Sequence, residues 1–351
     1  MTAEWLNAVL EAAGELDGAR IVGFEREDIG TGQVGANVRF RLRYDADGDP
    51  TGPATLVGKF AAQDETSRAT GVATRTYETE VAFYRDIAAT VDISRPQCFY
   101  TAIEPGTADV VLVLEDLAPA VQGDQITGCG VAQAELAVDE AARLHGPRWG
   151  DDTLLDHGWL AEGVAARAGT GIADLFNFTW DGFVERYRDR LDPGALDVGV
   201  GLRKHITAWS THEAAANTLT HGDYRLDNML FGLPGSDRPL AVVDWQTVRL
   251  GCGTADVAYF LGAGLSVADR RTHERDLVAR YHRGLLAYGI DDYPFDACWD
   301  DYRRYSYAGY VMAVIASILV GRTDRGDDMF MAMANRHAAQ VSDLDARQLL
   351  L

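Results

Sequence analysis

At 351 residues the chain is long enough for two lobes that each bury a core, and 47% hydrophobic with 24% charged residues is the balance of a soluble globular protein. A formal net charge of −21 with no Lys/Arg-rich run excludes a general nucleic-acid binder, because backbone phosphates would be repelled; the same excess either favours a cationic substrate or simply sets solubility. The longest apolar run, residues 310–320, is too short to span a bilayer, so no membrane partner is expected.

The first 18 residues carry acidic side chains where a signal peptide has basic ones, and they read as an amphipathic helix. Cys98, Cys129, Cys252 and Cys298 show no C-x-x-C spacing, which indicates neither a zinc site nor a disulfide framework and fits a reducing cytoplasm. Strand character at 21–24 leads into Gly30-x-Gly32-x-x-Gly35, a pattern shared by dinucleotide sites and by kinase phosphate loops. The residues after Gly35 decide between them. Residues 38–44 alternate Val38, Phe40, Leu42 and Tyr44 with arginines at period two, so a strand stands where a Rossmann unit needs a helix. The segment reads as a hairpin whose tip covers nucleotide phosphates, with a ligand-free glycine hairpin as the alternative.

Residues 54–60 narrowly miss a P-loop, since position 53 is Pro and position 60 is Phe. Lys59 is one of only two lysines, with Lys204, and sits inside an apolar strand. A buried ammonium needs a counter-charge or a phosphate; an edge-strand surface lysine is the alternative. Apolar residues at helical spacing over 77–87 place Glu80 as the natural partner of Lys59, with Glu78 as the substitute. Residues 110–114 form a continuous apolar strand ending at Glu115-Asp116-Leu117, and a helix over 131–145 stops at Gly146-Pro147. The aromatics between 149 and 201 read as core.

The centre of the chain is His221-Gly-Asp223-Tyr-Arg225-Leu-Asp-Asn228, then Met229-Leu230-Phe231, a turn-rich stretch over 233–238, and Leu240-Ala-Val-Val-Asp244-Trp245-Gln246. The two apolar runs predict a hairpin that returns Asp244 beside Asn228. Phosphoryl transfer needs a divalent metal held by hard oxygens and a carboxylate near the attacking hydroxyl, and Asp223, Asn228 and Asp244 supply that set. Arg225, two residues after the base, is expected at the transferred phosphoryl group, and His221 is expected to brace the loop.

These motifs, H-G-D-Y-R-L-D-N-M-L-F with V-V-D-W-Q, resemble those of the aminoglycoside phosphotransferase superfamily, above all its choline-kinase-like and ecdysteroid-kinase-like branches. The resemblance implies an α+β, two-lobed protein-kinase-like fold: a small antiparallel-sheet lobe over 1–116 and a mainly helical lobe over 117–351. It implies ATP, with GTP as the alternative, and Mg2+ as cofactors. Lys59 paired with Glu80 would hold the phosphates under Gly30, Gly32 and Gly35, backbone at Glu115 and Leu117 would meet the adenine, and Asn228 and Asp244 would bind magnesium. Gly251-x-x-x-x-Asp256-x-Ala-Tyr259 resembles a family segment in which Asp256 braces the catalytic loop. The expected reaction is phosphorylation of a hydroxyl group on a small molecule; the alternatives are a nucleotide-binding module without catalysis and a nicotinamide-binding oxidoreductase. Trp245-Gln246 and the lack of an acidic C-terminal helix, where Asp343 and Asp345 are the only candidates, depart from the aminoglycoside-modifying pattern and leave a hydrophobic alcohol as plausible an acceptor.

Overall fold

The computed structural model describes residues 1–30, 35–45, 52–104, 106–169, 171–212, 216–233 and 239–350, the side chains of 165–169 excepted. Helix α1 (Ala3–Ala12) is capped by Thr2, whose Oγ1 accepts from the Trp5 N–H at 3.2 Å, and it packs Leu6 and Leu10 against the first sheet. That sheet is antiparallel, with β1 (Ile21–Ile29), β2 (Gly35–Tyr44), β3 (Thr55–Ala61), β4 (Cys98–Glu104) and β5 (Asp109–Glu115) in the order β1-β2-β3-β5-β4. The alternation in β2 sorts as its period requires: Val38 and Phe40 are buried, while Arg39 and Arg41 turn to Asp116 and Glu27. A strand on each side of the glycine segment rules out the Rossmann arrangement.

Between β3 and β4 lie α2 (Glu65–Ala73) and α3 (Thr76–Ala82). The single helix expected over 77–87 instead widens at Phe83 into a π turn, Phe83–Ile87. Phe83, Ile87, Ala88, Val91 and Ile93 then belong to the same core as the helices of the second lobe. A division at residue 116 therefore separates sheet from helices in sequence, while the packing crosses it.

The second lobe starts with β6 (Val121–Gln122) and α4 (Val131–His145), then α5 (Gly158–Gly169), α6 (Gly171–Tyr187), α7 (Pro193–Arg203) and α8 (Ile206–Ser210). The short strands β7 (Thr218–Thr220), β8 (Met229–Phe231), β9 (Leu240–Val242) and β10 (Arg249–Gly251) carry the central motifs. Five helices follow: α9 (Thr254–Gly264), α10 (Val267–Ala287), α11 (Phe295–Tyr305), α12 (Ala308–Leu319) and α13 (Asp324–Asp343). Phe176, Trp180, Phe183 and Tyr187 do pack as core, against α12 and α13, as do Tyr307 and Tyr310. Two lobes, sheet-built and helical, thus match the α+β kinase-like architecture, and no helix among the described residues is long and apolar enough to cross a membrane.

Candidate active site

Strand β7 pairs with β10, and the chain leaving β7 turns sharply at His221 and Gly222. Their backbone N–H groups would be orphaned donors in a buried turn; both donate to Asp256 near the start of α9, at 2.6 and 3.1 Å. Burial pushes the Asp256 carboxyl up, but His145, 3.3 Å away, and the His221 ring and N–H outweigh it and hold the group below the usual carboxylate range. His221 is fully buried, its Nε2 3.0 Å from the Val243 carbonyl while Nδ1 accepts from the Asp223 N–H at 3.3 Å. The ring is thus committed to backbone at both nitrogens, in the position of a brace. Gly222 has φ +81°, and a Cβ there would meet the Thr247 carbonyl at 2.5 Å and an Arg249 nitrogen at 2.8 Å. Only glycine fits that turn.

Asp223 comes next, with its side chain 22% exposed. Arg225 Nε donates to both of its oxygens at 2.9 Å, Asn228 Nδ2 to Oδ2 at 3.0 Å and the Tyr259 hydroxyl to Oδ1 at 3.0 Å. Burial favours the neutral acid, but the Arg225 charge, seconded by His221 and Tyr259, wins and keeps the carboxyl below its ordinary range. Arg225 also donates to Asp227 at 2.6 Å. Its guanidinium is therefore engaged by two carboxylates, where the sequence suggested a phosphoryl contact.

The β8–β9 hairpin pairs Met229 with Val242, and the Val243 N–H donates to the Asn228 carbonyl at 2.9 Å, so Asp244 does return to Asn228. The turn between the strands, 234–238, lies outside the described residues. Asn228 Nδ2 is occupied by Asp223, on its carboxylate and on its carbonyl at 2.9 Å, which leaves Oδ1 as the ligand atom of this carboxamide. Asp244 adopts a left-handed φ of +69°, accepts from Gln246 Nε2 at 3.1 Å and pairs with Lys59 at 2.7 Å. Lys59 also meets Glu80 at 2.6 Å, so Glu80 of α3 is the partner and Glu78 pairs with Arg75 instead. Burial opposes the Lys59 charge, yet Asp244 and Glu80 together raise its pKa above the ordinary lysine value. Among the described residues no three His, Cys, Asp or Glu side chains group for a metal. Magnesium held on phosphates needs only one or two protein oxygens, so Asn228 and Asp244 fit that ion.

Register Asn37–Lys59 and Gly35–Ala61 sets Gly35 beside the lysine: a Cβ there would lie 3.7 Å from Lys59 Cε. Gly30, directly after β1, has φ +75°; Gly32 lies outside the described residues. At the hinge, Arg39 clamps Asp116 through two hydrogen bonds, 2.6 and 3.2 Å, fastening β2 to the crossover. The Glu115 N–H is taken by the Gln97 carbonyl at 2.8 Å and the Leu117 carbonyl by the Ala120 N–H at 2.9 Å. Leu117 packs with Leu233 and Ala241 in a small buried apolar cluster. A cleft of about 590 Å3 touches the other side chain of this pair, Glu115, together with Tyr84, Arg95, Cys98 and Arg143, but none of Lys59, Asp223, Asn228 or Asp244.

The sequence names Tyr259 in the segment after β10 without giving it a role, although Asp256-x-x-Tyr259 spacing places both on one helix face toward the loop. It does not mark Gln125, which donates its N–H to Asp227 and accepts from the Leu226 N–H, and no local pattern could have shown that contact across 101 residues.

Residues 199–289, which contain His221 to Asn228, the β8–β9 hairpin and Asp256, match the ecdysteroid kinase-like family. Over the whole fold the chain is similar to aminoglycoside 2'-phosphotransferase-IIIa in complex with GDP, at 14% identity and TM-score 0.54, covering 95% of this chain and 98% of that one. It is similar also to Plasmodium vivax ethanolamine kinase, at 10% identity and TM-score 0.51, covering 89% and 82%. A 68-residue stretch is 43% identical to an Arabidopsis thaliana protein named Probable acyl-CoA dehydrogenase; it makes up 19% of this chain and spans only 8% of that protein's length. The chain thus has the fold of these kinases, and its residues 199–289 match the ecdysteroid kinase-like family.

Proposed function

We propose that the protein is a magnesium-dependent phosphotransferase that moves the γ-phosphoryl group of ATP, with GTP as the alternative donor, to a hydroxyl group of a small molecule. The observation that carries this reading is the meeting of three chain segments at one point: Lys59 of β3 ion-paired to both Glu80 and Asp244, and Asp244 joined through the hairpin to Asn228 and so to Asp223. On this reading Lys59 and Glu80 hold the phosphates, and the backbone near Gly30, Gly32 and Gly35 covers them. The hinge at Glu115 and Leu117 takes the nucleobase. Asn228 Oδ1 and Asp244 would hold magnesium, which when bound neutralises the charge on the phosphate oxygens. Asp223, held ionised by Arg225, orients the acceptor hydroxyl and accepts its proton. Arg225 serves the base by fixing its charge and direction. A non-catalytic module has no need of this full set, and a reducing cytoplasm suits four cysteines that are all free thiols.

A screen of hydroxylated compounds for stimulated ATP consumption, repeated with Asp223→Asn, tests the reading. The substitution keeps shape and removes basicity, so turnover should fall by ~10²–10⁴-fold with little change in ATP affinity. An Asp223→Asn protein that turns over the same compound within roughly threefold of the unaltered chain would show the base to be misplaced.

A further inference from the structure

The charge around the base is unlike the charge of the chain. The protein carries a net −21, yet the carboxylates at the catalytic loop all have partners: Asp244 has Lys59, Asp256 has His145 and two loop N–H groups, and Asp223 and Asp227 have arginine. Asp223 and Asp227 share Arg225; Asp227 also takes Arg325 at 3.1 Å, and Asp124 takes the same guanidinium at 3.4 Å. Farther off, Asp343 pairs with Arg270 and Arg271, and Asp327 with Arg322. Among the described residues, the carboxylates next to Asp223 are therefore already paired with cations.

A third guanidinium stands against the loop without an anion. Arg249, the first residue of β10, is held opposite Thr220 in β7, one residue before His221, and is half-buried. Its terminal nitrogen fills the space that a side chain at Gly222 would take, 2.8 Å from where a Cβ would be. Its charge acts on the Tyr259 hydroxyl, which donates to Asp223, and on Tyr305. Among the described residues no carboxylate pairs with Arg249. A guanidinium partly withdrawn from water and left unmatched is costly, and its planar fork matches a carboxylate or a phosphate.

Resting on the phosphotransferase reading above, we propose that Arg249 recognises the acceptor, and that the acceptor is a hydroxylated small molecule bearing an anionic group, a carboxylate or a phosphate. The acceptor anion docks on Arg249, and its hydroxyl is presented to Asp223. The hydroxyl oxygen forms a bond to the γ-phosphorus as the bond from that phosphorus to the bridging oxygen breaks. The hydroxyl proton passes to the Asp223 carboxylate, and the nucleoside diphosphate leaves with the bond's electron pair. Amino alcohols, by contrast, would bring an ammonium group to an arginine.

The test uses the full chain with Mg-ATP and four matched compounds, hydroxyhexanoate, hydroxyhexyl phosphate, hexanediol and aminohexanol, each with its groups at opposite chain ends. Nucleoside diphosphate release and calorimetric binding are both read. The two anionic compounds should bind and react best, and whichever is preferred tells carboxylate from phosphate. Arg249→Gln should raise KM for them by roughly 10–100-fold, with KM for ATP little changed and a clearly smaller loss on hexanediol; Arg249→Lys should fall between. The Lys variant, which keeps charge and most of the volume, guards against a folding defect. Equal use of aminohexanol overturns the proposal, and so does an Arg249→Gln protein whose loss is the same for every acceptor or falls on ATP. Failure of both anions to bind, with Mg-ATP bound normally, overturns it too but leaves the phosphotransferase reading. Failure of Mg-ATP itself to bind brings down the reading beneath it.

Discussion

Trp245 lies flat on Phe83, ring centroids 4.1 Å apart and planes within 9°, with both side chains fully buried. The two residues come from different lobes by sequence, and each neighbours a charged group of the site: Trp245 follows Asp244, and Phe83 lies one helical turn beyond Glu80. The Trp245 backbone N–H also hydrogen-bonds to Glu80, so ring and backbone together set the distance between helix α3 and Asp244. Trp245→Ala should cost about 3–5 kcal/mol of folding stability through the cavity it leaves. Trp245→Phe keeps an aromatic on Phe83 and should cost less, about 1–2 kcal/mol. Urea unfolding measures both, and the Ala variant should also raise KM for ATP, because Lys59 loses its fixed partner. If the two variants were equally stable, the stack would have no part in holding the lobes.

Tyr259 gives Asp223 a hydrogen bond that Phe cannot replace. Its hydroxyl is buried, and burial together with the Asp223 charge pushes its pKa well above the ordinary value, so it donates at any working pH. With Tyr259→Phe, Arg225 and Asn228 still hold the carboxylate, so the base is loosened and not lost. A hydrogen bond to a charged group contributes about 1.5–3 kcal/mol, part of which the remaining donors would recover. We expect kcat to fall about tenfold and KM for ATP to change less than about twofold. Steady-state kinetics with an active acceptor checks this, and an unchanged kcat would make Tyr259 a packing residue only.

Legibility in the sequence depended on how local each signal is. Lys59 announced itself because arginine is used almost throughout this chain and a lysine in an apolar strand needs partners; the structure supplies two. The loop and hairpin were readable because their spacing is short and their turn residues explicit. Strands β7 and β10 were not, since three residues cannot display a period, and the same holds for β6. The π turn at Phe83 has no local mark in the sequence, and Trp245, on which Phe83 stacks, is 162 positions away. Arg225 shows a different limit: sequence placed it beside Asp223, but only the fold reveals that its guanidinium also reaches Asp227. Arg249 was silent for the converse reason, since what marks it is a missing partner.

His337 makes acid stability specific to one residue. It is fully buried on α13, its Nδ1 near the Ser306 carbonyl and the Gln340 carboxamide oxygen, and its Nε2 has no partner among the described residues. Burial pushes its pKa down to about 4. In the unfolded chain a histidine titrates near 6.5. The unfolded state therefore binds the proton first, so the stabilisation is full above about pH 6.5 and is lost as pH falls toward 4. Between about pH 7 and pH 5 this group alone should remove roughly 2 kcal/mol of unfolding free energy. Urea titrations across that range should show His337→Gln to be the less pH-dependent protein. A ring resonance that titrates near 6.5 in the folded protein would contradict the assignment.

The last prediction separates the metal from the nucleotide. Asp244 pairs with Lys59 through one oxygen and accepts from Gln246 through the other, while Asn228 offers Oδ1 beside it. If these two oxygens hold magnesium on the phosphates, Mg-ATP should stabilise the protein by mass action, by about 2.7 kcal/mol at a hundredfold excess over its dissociation constant. ATP with a chelator should do less. Asp244→Ala should erase that difference while leaving a residual, metal-independent shift from Lys59 and the hinge. Removing Asp244 also leaves the Lys59 ammonium with Glu80 alone, so the variant should be compared with Asp244→Asn, which restores a hydrogen-bond acceptor without the charge. Melting curves for the three proteins, with and without magnesium, decide the matter. Equal shifts with and without the metal in the unaltered chain would mean that Asp244 serves the lysine and not an ion.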